Sequence, residues 1–210
     1  IRDCNIFLEN IDNVHDMSLS ERRRWKAEVQ VLKAFFHYWL LQLYGPIPFI
    51  EKNLPISASS EEVKSVIREP VDDVVIKIVG LLDAAIEEED ALPLSIRSVN
   101  LEMGRLTLPA ALAIKAKVLM LAASPLFNGN PDFPDFKNAE GVSFINPIED
   151  PAKWEAARDA CLAAIESAHE AGHELYQLDR SSIMGDYSDI TLLEIRIRDK
   201  ITSKYNKELL

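Results

Sequence analysis

At 210 residues, with 48% hydrophobic and 27% charged side chains, the chain has the balance of a globular protein long enough to bury a sizeable core. Its 23 basic against 34 acidic residues leave a formal charge of −11, which argues against non-specific nucleic-acid binding and against adsorption to anionic lipid, since both need a basic face. Two isolated cysteines, Cys4 and Cys161, exclude a disulfide framework and a cysteine-based zinc site, and no apolar run is long enough to span a bilayer.

Helical periodicity runs through the sequence from its first residue. The chain opens at Ile1, without a methionine or a signal peptide, and reads as a piece of a longer precursor. A first helix is predicted over roughly Ile1 to Val14, with Ile6, Phe7, Ile11 and Val14 in register. Ser18 or Ser20 opens a long second helix that ends at Gly45-Pro46. Its predicted core stripe is Trp25, Val29, Leu32, Phe35, Phe36, Trp39, Leu40 and Leu43. Pro46 to Ile50 is extended, because two prolines forbid a helix there.

A third helix is expected from Pro70 to about Asp90, with Val74, Val75, Ile78, Leu81, Leu82 and Ile86 inward. The fourth lies between Thr107 and Ser124-Pro125, has Pro109 in its first turn, and is rich in alanine. Lys115 and Lys117 are its only charges, so neighbours must cover it on most sides. The fifth begins at Asp150-Pro151 and ends at Gly172, with Trp154, Ala157, Cys161, Leu162 and Ile165 as its stripe. The sixth runs from about Ser188 to the C-terminus and carries Leu192, Leu193, Ile195, Ile197 and Ile201.

Paired as one-two, three-four and five-six, these helices make an all-α, tetratricopeptide-like stack of helical hairpins, an α-α superhelix with long loops. No strict repeat is legible, so the units are degenerate. Two loops, Glu51 to Glu69 and Leu126 to Asp150, exceed what packing requires. The second holds Phe127, Asn128, Asn130, Phe133, Phe136 and Phe144.

The segments IRDCNIFLENID, WKAEVQVLKAFFHYWLLQLYGPIPFI, REPVDDVVIKIVGLLDAAIEEEDALP, GRLTLPAALAIKAKVLMLAASPLFNG and DPAKWEAARDACLAAIESAHEAGHELYQL, in this order, resemble the SusD/RagB family. The LYG-x-x-P and ASPLFNG elements are specific in that setting. The resemblance covers almost the whole chain and makes residues 1–210 part of one SusD-like helical-repeat domain. It lacks the family's lipobox cysteine, since Cys4 follows Ile-Arg-Asp, and a large C-terminal portion. The resemblance implies an outward-facing outer-membrane lipoprotein that captures oligosaccharide and delivers it to a SusC-like TonB-dependent transporter. The lipid anchor would lie outside this chain. It implies no enzyme activity and no cofactor. A helical-repeat scaffold for a peptide or partner protein is the alternative.

Ligand sites combine an apolar body with convergent polar groups. Trp25, Trp39 and Trp154 fall on core stripes, which assigns them to packing. Asn128 and Phe133 lie in the aromatic loop and are the ligand-contact candidates. His169-Glu170-Ala171-Gly172-His173 matches H-E-x-x-H, with Glu194 as a conceivable third ligand for a zinc hydrolase. Gly172 terminates the helix that this motif needs, so no metal site is expected. His15 and His37 stand alone, and the Glu87 to Asp90 run reads as a solvated helix end.

Overall fold

A computed structural model describes residues 1–175 and 188–202. Eight α-helices lie in this part: α1 (Arg2–Asn10), α2 (Leu19–Tyr44), α3 (Ser60–Lys64), α4 (Val71–Ile86), α5 (Val99–Glu102), α6 (Leu108–Ala123), α7 (Pro151–Glu170) and α8 (Asp189–Thr202). A short 3₁₀ turn, Ile11–Asn13, follows α1. The described residues contain no β-strand, only two isolated bridges. The fold is the all-α stack of tetratricopeptide-like hairpins that the sequence implies.

Local signals place the helix ends. Ser18 caps α2 by a reciprocal box: its hydroxyl accepts from Glu21 N–H at 3.2 Å, and the Glu21 carboxylate accepts from Ser18 N–H at 3.2 Å. Asp150 accepts from Ala152 N–H at 3.0 Å ahead of Pro151. Gly172, at φ +81°, ends α7. Thr107 occupies the N-cap position of α6, but its side chain makes no capping bond. Two short helices, α3 and α5, sit inside predicted loops, and Ser59 and Glu62 box the first of them.

Two of the expected pairs, one-two (α1 on α2) and three-four (α4 on α6), pack together, and contacts between successive pairs are more extensive still. The most extensive packing is α6 on α7 and α2 on α4, with α4 against α6 between them. Nine-residue α1 packs only lightly on α2 and buries just Cys4 and Asn5. No α7–α8 packing occurs among the described residues. Helix α6 sits close to its neighbours because its buried residues are mainly small: Ala111, Ala116, Ala122 and Ala123. Ala111 and Ala122 lie in the core cluster shared with α2 and α4, and α7 brings small buried residues of its own, Ala157, Ala160 and Ser167. Lys115 to Asp83 and Lys153 to Asp72, each at 2.6 Å, tie α6 and α7 to α4.

The core stripe expected on α2 is not the buried one. Ala27, Val31, Ala34, Tyr38 and Leu41 face the core, while Trp25, Trp39 and Leu43 are 43%, 52% and 60% exposed. On α7 likewise Trp154, Leu162 and Ile165 are exposed. Both helices carry two apolar faces, and in this chain the face with the smaller residues takes the core. For α4 the expected stripe holds: Val74, Val75, Ile78 and Leu82 are buried.

Three buried polar side chains fasten the extended stretch after α2. His37, fully buried, bonds Lys33 C=O through Nδ1 at 2.8 Å and accepts from Ile50 N–H through Nε2 at 3.1 Å. Its ring stacks on Phe49, with centroids 4.2 Å apart. Lys33 Nζ donates to Glu51 C=O at 2.8 Å, and Asn5 donates to Asn53 Oδ1 at 3.2 Å. Burial lowers the Lys33 pKa and takes that of His37 down to about 4.

Neutral His37 therefore stabilises the fold fully above the unfolded value near 6.5, and this contribution is lost as pH falls towards about 4. Unfolding free energy should drop by on the order of 3 kcal/mol across that window. A His37→Gln variant, compared by urea denaturation at each pH, should lose most of that slope.

Candidate functional site: the loop joining α6 to α7

The aromatic loop starts where α6 stops. Ser124 O accepts from Phe127 N–H at 3.0 Å and Asn128 N–H at 2.9 Å, turning the chain so that Phe127 enters the core. Asn128 then joins the two ends of the loop. Its Nδ2 donates to Asp150 C=O at 3.0 Å and its Oδ1 accepts from Asp150 N–H at 2.8 Å. Gly129, at φ +80°, donates to Asn146 C=O at 3.1 Å. A Cβ there would come within 2.9 Å of the Glu149 backbone, so only glycine fits.

Beyond this clamp the loop is built from Asn turns. Asn130, Asn138 and Asn146 each accept, through Oδ1, from the N–H two residues on, at 2.9, 3.0 and 3.0 Å. Phe144 and Ile145 are buried, and Phe144 C=O accepts from Val71 N–H at 2.9 Å, which fixes the loop to the start of α4. Phe136 bridges Phe144 and Phe133, with ring centroids at 4.9 and 6.4 Å. The outer turn carries Phe133, 45% exposed, with Asp132 and Asp135 exposed beside it.

The two candidates thus occupy different layers of the loop. Asn128, 4% exposed, has its amide committed to backbone and acts as a brace. Phe133 is 45% exposed on a turn whose Phe136 ring lies beneath it, with centroids 6.4 Å apart. Its setting, one apolar ring between two free carboxylates, can stack on a sugar C–H face and accept hydroxyl hydrogens.

The imidazoles of the H-E-x-x-H stretch are not set on one helical face. α7 ends at Glu170, and His173 N–H returns to Ala168 C=O at 2.9 Å beyond the Gly172 turn. Among the described residues no three His, Cys, Asp or Glu side chains converge as metal ligands. Sequence reasoning passed over Asn5 and Lys33, and the partner of His37, because their contacts lie far along the chain, on the Asn53 side chain and the Glu51 and Ile50 backbone. A cleft of about 520 Å³ lies outside that fastened stretch, between residues 48–54 and 65–69. Lys77 bridges Glu51 and Glu69 there, at 3.2 and 2.9 Å. His37 and Lys77 already occupy the Phe49 ring, so it offers no free stacking face.

A family model for SusD-like proteins, described as starch-binding associating with outer membrane, matches residues 1–120. The solved structure of BT4246 is similar, with 33% identity and a TM-score of 0.77; the match covers 89% of this chain and 33% of BT4246. A SusD-like protein from Bacteroides fragilis, BF3747, shares 25% identity at a TM-score of 0.57, over 83% of this chain and 26% of that one. A SusD superfamily protein from Parabacteroides distasonis shares the fold at 20% identity and a TM-score of 0.58, over 83% and 30%. The chain therefore spans about a third of the length of BT4246. No curated protein matches the sequence. No helix among the described residues is long and apolar enough to cross a membrane.

Asn128→Ala should cost about 2 kcal/mol in urea denaturation, because the Asp150 backbone is left without its partner. Phe133→Ala should stay within about 0.5 kcal/mol, as for an exposed surface group. A reversed order would contradict the assignment of brace and display.

Proposed function

This chain belongs to the SusD-like family, and on that premise we propose that it is the helical-repeat part of a cell-surface protein that binds oligosaccharide and passes it to a TonB-dependent outer-membrane transporter. The observation that carries this reading is the family match over residues 1–120, whose description is starch-binding associating with outer membrane. The mechanism is capture and release without bond chemistry. Phe133 is the ring we assign to ligand contact, while Asn128 serves by keeping the loop ends joined. The partner is a SusC-like transporter, and the location is the outward face of the outer membrane.

The acidic surface bears on the ligand. A formal charge of −11, with Asp132 and Asp135 flanking Phe133, disfavours sulfated or uronic chains and suits neutral glucans.

In calorimetry with the full-length protein, neutral gluco-oligosaccharides should bind, and Phe133→Ala should weaken them about tenfold, or 1.4 kcal/mol. Affinity unchanged by that substitution would remove Phe133 from the site. Failure to bind any oligosaccharide, together with no transporter on co-purification from membranes, would overturn the functional reading.

A further inference from the structure

Asn128-Gly129 is the only Asn-Gly pair in the chain. Asparagine is chemically labile, and most of all before glycine, where no Cβ shields the backbone nitrogen. In an open chain the Gly129 nitrogen gives up its proton and attacks Asn128 Cγ. The bond from Cγ to the side-chain nitrogen breaks, and ammonia leaves. The five-membered succinimide that results takes up water and opens to aspartate or to isoaspartate. In isoaspartate the main chain runs through the former side chain and is longer by a methylene. Water is the only co-reactant.

The fold engages every group in that reaction. Gly129 N–H donates to Asn146 C=O at 3.1 Å. Asn128 Nδ2 donates to Asp150 C=O at 3.0 Å and to Ala123 C=O at 3.4 Å, while Oδ1 accepts from Asp150 N–H at 2.8 Å. The side chain is buried, which keeps water from the amide. Cyclisation needs the amide turned off Asp150 and the nitrogen freed from Asn146, so the loop must open first. Neither product fits the closed loop. Aspartate has only acceptors to offer, so an oxygen would stand where Nδ2 meets two carbonyls, and the charge would be buried. Isoaspartate lengthens the main chain beside Gly129, where one added carbon already comes within 2.9 Å of Glu149.

We propose that Asn128 is a deamidation site gated by the fold: it is inert while the loop is clamped, converts when the loop opens, and then prevents the clamp from closing again. Each opening that lasts long enough for the chemistry leaves a permanent mark, and the marked loop no longer fixes the turn that carries Phe133. The inference rests on the clamp and holds whether or not the loop touches glycan.

Peptide mass spectrometry on the full-length wild-type protein, held at mildly alkaline pH with and without guanidinium chloride, tests the gate. Conversion at Asn128 should be about tenfold or more slower in the native protein than in denaturant. Native conversion at the unfolded rate would overturn the proposal. Hydrogen exchange on an Asn128→Asp variant, made directly and so never passed through denaturant, tests the loss of the clamp. The amides of Gly129 and Asp150 should exchange about tenfold faster than in the wild type. Equal protection of those two amides would show that the converted loop still closes, and would overturn the claim that the mark is structural.

Discussion

Close approach between α6 and its neighbours is the constraint on which this structure depends. A helix flanked by α4 on one side and α7 on the other has little room for side chains. Ala111, Ala116, Ala122 and Ala123 supply that room, while Val118 and the partly buried Ile114 and Leu119 fill the gaps towards the core. Once α6 is seated, the loop leaving it must travel from the end of α6 to the start of α7. Its length is then used to cap the layer: Phe127 and Ile145 plug the core, and Phe144 C=O reaches the first N–H of α4.

Two clasps convert this packed layer into a platform with defined edges. One is Asn128 with Gly129, joining the loop ends through backbone groups of Asn146 and Asp150. The other is the Asn5, Lys33 and His37 group, which holds residues 50–53 against α1 and α2. Each spends buried polar side chains on partners distant in the chain, most of them backbone groups, and a buried polar group is costly once its partner is lost. Such clasps fix where an outer turn sits, and in the α6–α7 loop that turn displays Phe133. A third group of charges, Arg24 and Arg105 with Glu28 and Glu102, joins α2 to the start of α6, with Arg105 Nε and Glu28 Oε1 at 3.0 Å. Hydrogen bonds from Arg97 N–H, first, and Arg24 hold the Glu102 carboxyl below the usual carboxylate range.

Helix positions were legible in the sequence because their ends carry chemistry that acts within four residues. Ser18, Asp150-Pro151 and Gly172 are such signals, and the structure uses each of them. Facing was less legible. Periodicity identifies an apolar stripe but does not rank two stripes on one helix, and bulk pointed to Trp25, Phe36 and Trp39 where close packing selected Ala27, Ala34 and Leu41. Asn128 reads in sequence as a loop polar residue open to ligand; its role as a brace depends on Asp150, twenty-two positions away. In the H-E-x-x-H stretch one glycine, with a φ of +81°, takes His173 off α7.

The central claim is that small side chains on α6 set the spacing of the whole layer, and a pair of substitutions measures it directly. Ala116, 7% exposed, and Ala113, on the exposed face, lie on the same helix three residues apart. Replacing each by leucine and measuring unfolding free energy in urea should separate them. The account predicts a loss of about 1–3 kcal/mol for Ala116→Leu from overpacking and a change within about 0.5 kcal/mol for Ala113→Leu. Equal effects at the two positions, or a gain in stability at Ala116, would contradict it.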